Sequence, residues 1–184
     1  IFGSLIFYAY WNPIYVLIPI FLALIAWVTG NWVHNEKLYN YRSLKFFISI
    51  IILLLPLIFF KYSEFIILEI INAKKTNLNW LPSSLPLGIS FITFTVLAYL
   101  IEVYKNRYPH EKNFKTLLAY VVFFPQLIAG PILRPKELIS QIKKPKIFSE
   151  GFFYLGFTLF KKGLIKKIFF ADKIAKIIDP IWST

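Results

Sequence analysis

The chain has 184 residues, of which 58% are hydrophobic and only 16% are charged, and its formal net charge is +12. Soluble domains are about half apolar and about one quarter charged, so this composition indicates a membrane protein and excludes an ordinary soluble domain. The chain has no cysteine, which excludes disulfides and cysteine-ligated metals. Basic residues next to apolar segments favour lipid headgroups over nucleic acid as the partner of the positive charge.

The first part of the chain predicts about four membrane spans. A helix needs about 20 apolar residues to cross ~30 Å of hydrocarbon. Residues 1–10 resemble the end of a span, and residues 14–33 predict a complete one. Residues 44–71 predict a long third span that contains Pro56, and residues 85–104 predict a fourth. The predicted fold is therefore all-α and polytopic.

The distribution of Lys and Arg predicts how these spans are oriented. The loops at 34–45 and 105–115 are the richest in basic residues, and such loops face the cytoplasm. The turn at 11–13 and the connection at 73–84 carry fewer basic residues and are predicted to face outward. This alternation along the chain agrees with successive crossings of one bilayer.

Residues 114–133 predict a different arrangement, because Pro125, Gly130 and Pro131 interrupt an otherwise apolar run. Broken backbone at membrane depth is tolerated only where protein or a cavity surrounds it. A re-entrant pair of short helices therefore fits this stretch better than a clean crossing. The basic residues 134–146 would return the chain to the cytoplasmic face.

The last part of the chain, residues 148–178, predicts an apolar segment followed by a basic amphipathic helix. Lysines recur between residues 161 and 176 beside leucine and isoleucine, the pattern of a helix that lies in a membrane interface. The whole of residues 1–184 is predicted to form one membrane domain.

Gln126, Gly130, Pro131 and Arg134 are the candidate site residues, predicted to border a substrate or donor tunnel. Gly130 permits close backbone approach, Pro131 fixes a turn, and Gln126 can satisfy backbone groups that the break leaves free. Arg134 can bind a phosphate-bearing or pantetheine-type donor at the cytoplasmic mouth. An equally weighted reading is a purely architectural turn with Arg134 on lipid headgroups.

The remaining polar candidates are read as structural. His34 and His110 both lie in charged stretches and are predicted to be solvated loop residues without a catalytic role. Glu102 is predicted to form a local ion pair with Lys105 or Arg107. No catalytic residue and no metal site is predicted in this chain.

Three segments together resemble the membrane-bound O-acyltransferase family, in its alginate O-acetyltransferase subgroup. They are LPLGISFITFTVLAYLIEVYKNR (85–107), FFPQLIAGPILRPKELISQI (123–142) and GLIKKIFFADKIAKIIDPIW (163–182), with AGPILRP the most specific element. The resemblance covers nearly the whole chain and identifies it as the N-terminal part of a larger acyltransferase. Ile132, Leu133 and Gln141 favour this subgroup over the related D-alanyl transferases.

The resemblance implies transfer of an acyl group, with acetyl as the expected one, from a cytoplasmic donor to a hydroxyl of an exported polysaccharide. The donor would be acetyl-CoA or an acyl carrier, acting as substrate, and no bound cofactor is expected. Expected partners are the bilayer, the glycan and an extracytoplasmic accessory acyltransferase, in a bacterial inner membrane. The family's catalytic His would lie downstream of this chain, so the chain alone is expected to be inactive.

Two alternatives stay open at this point. A transporter or channel subunit would also contain a broken segment such as 114–133, and it predicts an internal pseudo-symmetric counterpart, which the sequence does not contain. A non-catalytic remnant of a disrupted reading frame is the other alternative. The chain starts at Ile1 and contains no methionine, so it is expected to be a piece of a longer frame.

Overall fold

The computed structural model describes residues 1–67, 85–127, 130–144 and 147–182, and in these ranges it contains helices and no strand. The predicted all-α class is confirmed for this part of the chain. Two compact units, Ile1–Lys144 and Pro145–Thr184, are each described by themselves. The prediction of one membrane domain over residues 1–184 stays a prediction.

The first unit begins with three helices that follow the predicted spans. They are α1 (Phe2–Trp11), α2 (Leu17–His34), preceded by a single 3-10 turn at Ile14–Val16, and α3 (Tyr39–Phe65). Two helical segments, Ile14–His34 and Asn40–Phe65, are long and apolar enough to cross a membrane. The helix α3 starts before the predicted residue 44, and residues 68–71 of that span lie outside the described residues.

The helix α4 (Ile89–Tyr104) has 16 residues and starts later than the predicted residue 85. Its N-cap, Gly88, has a φ of 62°, a left-handed conformation that ends the irregular stretch before it. The helix packs against α2 and α3 through a buried face that includes Ile92, Val96 and Tyr99. Thr93 and Thr95 are buried on the same helix, as expected for small polar residues at a contact between helices.

Three short helices complete the first unit: α5 (Phe114–Val121), α6 (Phe124–Leu127) and α7 (Pro135–Lys143). The sequence predicted a short helical pair at 114–133 but no helix after it, so α7 is an addition. Pro135 occupies the first turn of α7, where its missing N–H costs nothing, and Leu138 and Ile139 are buried beneath it.

The second unit contains α8 (Glu150–Ile165), a π-helical stretch (Lys166–Ala171) and α9 (Asp172–Trp182). The lysines between residues 161 and 176 are therefore on helical backbone, as predicted. Large apolar side chains of this unit, such as Phe152, Phe160 and Ile177, are exposed. The predicted location at a membrane interface stays a prediction.

Arg42 joins the two stretches that the sequence places on the cytoplasmic side. Its Nη2 donates to the carbonyl oxygens of Val103 (3.2 Å) and Tyr104 (2.9 Å) and to Oδ1 of Asn106 (2.6 Å). These carbonyls belong to the last turn of α4, where the Val103 carbonyl also accepts from the Asn106 N–H at 3.1 Å. A cation there complements the helix dipole. The loops at 34–45 and 105–115 therefore lie at the same end of the helices.

We predict that Arg42→Gln destabilises the protein by about 2 kcal/mol, because up to three charge-assisted hydrogen bonds are lost. For a chain of this size the thermal midpoint should fall by roughly 4–8 °C. The midpoint of unfolding in detergent measures this. Lys37→Gln is the matched control, because Lys37 is an exposed cation in the same stretch. An equal shift in both variants would contradict the role given to Arg42.

Candidate site in the broken segment

The broken segment runs along α4 and back. It starts at Phe114, whose ring lies 6.1 Å from that of Trp27 in α2. At Leu127 it reaches the opposite end of α4, since a Cβ built on Gly88 would lie 2.5 Å from the Leu127 carbonyl oxygen. At Arg134 the chain is back beside Glu102, near the C-terminal end of α4. In its described residues the segment is therefore a hairpin of two arms, and Leu127, at the end of the first arm, lies near the start of α4.

Gln126 satisfies a backbone group that the break leaves free. The helix α5 ends at Val121, so the Tyr120 carbonyl has no helical donor, and the Gln126 Nε2 donates to it at 3.0 Å. Gln126 is buried, with 6% of its side chain surface exposed, and its Oε1 has no hydrogen-bond partner among the described residues. The predicted structural use of Gln126 is confirmed, and its contact with a substrate stays a prediction.

Tyr120 also ties the two arms of the hairpin together. Its hydroxyl donates to the Leu133 carbonyl oxygen at 2.8 Å, across the break. Gly130 continues the turn, because its N–H donates to the Gln126 carbonyl oxygen at 3.3 Å. A Cβ on Gly130 would lie 2.9 Å from the Pro125 carbonyl oxygen, too close for a real contact. Glycine at 130 is therefore required by space.

The four candidate residues do not form one cluster. Gln126 and Gly130 are hydrogen-bonded neighbours, whereas Pro131 is exposed on the return arm. Arg134 is exposed and lines a separate cavity of about 320 Å³, together with Glu102, Arg107, Lys136 and Glu137. The predicted ion pair of Glu102 is found with Arg107, at 3.8 Å.

The structure corrects the prediction for one histidine. His110 is half-buried instead of solvated, and its Nδ1 lies 2.9 Å from the Tyr99 hydroxyl. The pKa of His110 is lowered, first because burial disfavours its charged form and then because His34 and Lys112 add positive charge nearby. His34 is exposed at the end of α2, with its ring centroid 6.3 Å from that of His110.

The adjacent Glu111 is not singled out from the sequence, yet its side chain has three hydrogen-bond or ion-pair partners. Its carboxylate accepts from Lys143 Nζ at 2.6 Å, from the Tyr108 hydroxyl at 3.0 Å and from the Asn113 N–H at 3.3 Å. Burial acts to raise the pKa of Glu111, but these three donors outweigh it and the pKa is lowered. A carboxylate held in this way is ionised and structural.

Comparison with known proteins decides the family. The chain is 33% identical to the "Probable alginate O-acetylase" of Pseudomonas syringae pv. tomato and 31% identical to that of Pseudomonas aeruginosa, over 96% of its own length in each case. It is 30% identical to the "Peptidoglycan O-acetyltransferase" of Helicobacter pylori, again over 96% of the chain. The chain belongs to the family of the alginate O-acetylases. The predicted resemblance to membrane-bound O-acyltransferases is confirmed.

The match extends over a limited part of those relatives. The chain spans 35% of the two Pseudomonas proteins and 38% of the Helicobacter protein. No protein-family model matches the chain, and no solved structure does. Membership in the alginate O-acetylase family, together with the apolar helices α2 and α3, identifies a membrane protein.

We predict that Gly130→Ala destabilises this alginate O-acetylase relative, because the new methyl group must displace backbone, namely the Gln126 Cα and the Pro125 carbonyl oxygen. The expected cost is about 1–3 kcal/mol, the usual range for overpacking. Gly156→Ala in α8 is the matched control, because a Cβ there meets nothing within 4 Å and alanine favours a helix. Thermal midpoints in detergent should fall for the first variant only; a midpoint unchanged by Gly130→Ala would show that the turn has room.

Proposed function

We propose that this chain is part of a membrane O-acyltransferase that moves an acetyl group from a cytoplasmic donor to a hydroxyl of an exported polysaccharide. The observation that carries the proposal is the identity of 30–33% with alginate and peptidoglycan O-acetyltransferases over 96% of the chain. Both named substrates of those relatives are glycans outside the cytoplasm. The chain accounts for about a third of such a protein, so the rest of the machinery lies in the remaining length.

We place α1 to α4 across a bacterial inner membrane as about four spans, with the segment 114–133 as a re-entrant hairpin. Two contacts support this placement of the hairpin. Gln126 caps the Tyr120 carbonyl, and the Tyr120 hydroxyl binds the Leu133 carbonyl, so side chains serve backbone groups that water cannot reach in a bilayer. The basic α8–α9 region would lie at the cytoplasmic interface.

The donor would enter from the cytoplasmic end of the hairpin, at the cavity lined by Arg134. Acetyl-CoA or an acyl carrier presents phosphate next to its pantetheine arm, and a guanidinium binds phosphate through paired N–H donors. Arg107 and Lys136 add positive charge to the same cavity, and Glu102 and Glu137 add negative charge, with Glu102 paired to Arg107. The cationic side chains of the lining outnumber the acidic ones by one. The pantetheine arm would then extend along the hairpin past Gly130 and Pro131 toward Gln126.

Gln126 is suited to orient a substrate group within the hairpin. Its Oε1 is a buried acceptor, and a buried acceptor gains most from a donor such as an amide N–H or a hydroxyl. Acyl transfer needs a base that takes the proton from the acceptor hydroxyl as its oxygen attacks the donor carbonyl and the donor sulfur leaves. We expect that base, and the contact with any accessory acyltransferase, in the part of the protein outside this chain.

The test is acetyl transfer from acetyl-CoA by the protein expressed from its complete reading frame, scored as base-labile acetyl groups on exported polysaccharide. Arg134→Gln should raise the KM for acetyl-CoA about tenfold with little change in kcat, because one charge-assisted bond to the donor is lost. Lys115→Gln, which removes an exposed cation elsewhere in the basic stretch, should leave KM unchanged. The 184-residue chain alone should show no transfer.

Each outcome bears on a different part of the proposal. If the complete protein adds no acetyl groups to any exported polysaccharide, the proposed function is wrong. If Arg134→Gln and Lys115→Gln have the same KM, the donor does not enter at Arg134. Turnover by the isolated chain would place a base among residues 1–184.

A further inference from the structure

A second polar cavity lies between the last turns of α2 and the loop at 105–113, and the proposed acetyl transfer does not use it. Its volume is about 450 Å³. Its polar and aromatic lining combines rings, amides and a cation: Trp27, Asn31, His34, Asn35, His110 and Lys112. No carboxylate is among the described residues that line it.

The hydrogen bonds behind the cavity determine which nitrogen of His110 carries its proton. The Glu111 N–H donates to the Tyr99 hydroxyl oxygen at 3.0 Å. That oxygen is also 2.9 Å from His110 Nδ1. Because the Tyr99 oxygen already accepts one hydrogen, its own hydrogen needs an acceptor, and Nδ1 is the acceptor within reach. This pattern favours the neutral tautomer of His110 with its hydrogen on Nε2, which makes the ring a donor for a ligand in the cavity.

The ring is also held in place from two sides. Trp27 Nε1 donates to the Glu111 carbonyl oxygen at 2.9 Å and so anchors the loop to α2. Gly30, one helical turn before His34, allows the rings to come close, since a Cβ there would lie 2.9 Å from Tyr99 Cε1 and 3.3 Å from His110 Nδ1. The donor that His110 offers is thus positioned before any ligand arrives.

The charges around the cavity have one sign. His34 and Lys112 are exposed at its rim. Two carboxylates follow lining residues directly in the sequence, and both are paired: Glu111 with Lys143 and Tyr108, and Glu36 with Lys45. Burial, His34 and Lys112 act to lower the pKa of His110, while the Glu111 carboxylate acts to raise it, and the pKa is lowered.

We propose that this cavity binds a phosphate group through His110, His34 and Lys112, at a site separate from the Arg134 cavity. The inference does not depend on the proposed acetyl transfer. A phosphate oxygen accepts from the His110 Nε2–H, from the Lys112 ammonium and from an N–H of the His34 ring. The amides of Asn31 and Asn35 add further polar contacts at the rim.

A metal ion suits the cavity less well than an anion does. The described residues contain no group of three or more His, Cys, Asp or Glu side chains placed to hold a metal. Lys112 would repel a cation, and His110 has already used Nδ1 as an acceptor and presents a hydrogen on Nε2. The positive charge of Lys112, the hydrogen on His110 Nε2 and the lack of carboxylates in the described lining favour an oxyanion instead.

The experiment uses the protein from its complete reading frame in phosphatidylcholine nanodiscs, titrated with inorganic pyrophosphate and followed by calorimetry. The wild type should bind it at one saturable site, and Lys112→Gln and His34→Gln should each weaken binding about tenfold through loss of a charged contact. Lys115→Gln removes the same charge three residues away and lies outside the cavity lining, so its affinity should change less than about twofold.

A second arm distinguishes a soluble ligand from a lipid headgroup. In nanodiscs that contain phosphatidylglycerol, mass spectrometry measures how much of that lipid the purified protein retains. Pyrophosphate binding that depends on Lys112 indicates a soluble phosphate ligand. If lipid retention depends on Lys112 and pyrophosphate does not bind, the ligand is a lipid headgroup. If neither probe distinguishes Lys112→Gln from Lys115→Gln, the proposed site is wrong. Thermal midpoints confirm that the variants fold, and acetyl transfer is scored separately.

Discussion

Glu111 is the residue on which the arrangement of the first unit depends. It makes hydrogen bonds or an ion pair with residues of three helices and of its own loop, through its backbone as well as its side chain: Trp27 in α2, Tyr99 in α4, Lys143 in α7, and Tyr108 and Asn113 beside it. Its carboxylate is buried, so each lost partner would leave charge or a polar group without compensation. One acidic residue therefore fixes where the loop, the hairpin and α7 meet.

The hairpin and the second cavity are both consequences of that anchor. The hairpin starts three residues after Glu111, and its return arm leads into α7, which Lys143 ties back to the same carboxylate. Between these fixed ends, Tyr120 and Gln126 satisfy the backbone of the break. On the other side of the loop, the Glu111 N–H sets the hydrogen bond of Tyr99 and so the proton of His110. Glu111 therefore stabilises the elements around both the Arg134 cavity and the His110 cavity.

The sequence predicts the features that local physics controls. Runs of apolar residues predict α2 and α3, and the break at Pro125, Gly130 and Pro131 predicts that Gln126 can satisfy backbone groups left free there. The predicted start of the fourth span at residue 85 is earlier than the observed start of α4 at Ile89. The left-handed Gly88 before it lies against Leu127, a contact between residues far apart in the sequence. The sequence does not predict α7, because the basic residues of this stretch obscure its short apolar pattern. Pro135 in the first turn is a usable signal for the start of the helix.

The network around His110 could not be predicted in the same way. Its burial comes from contacts between residues such as Trp27 and Glu111, which are 84 positions apart. A charged stretch with a histidine looks like a solvated loop unless that packing is known. The family, by contrast, is predicted from three short segments of the sequence, because matching them requires no knowledge of long-range contacts.

The most direct test of the role of Glu111 is a double-mutant cycle with Lys143, measured as free energy of unfolding in mixed detergent and lipid micelles. Glu111→Gln and Lys143→Gln should couple by about 1 kcal/mol, a value that allows for the half-exposed lysine. Glu111→Gln and Lys144→Gln should be additive, because Lys144 is an exposed neighbour outside the ion pair. Additivity within about 0.3 kcal/mol in both cycles would contradict the account, since Glu111 would then not join α7 to the loop.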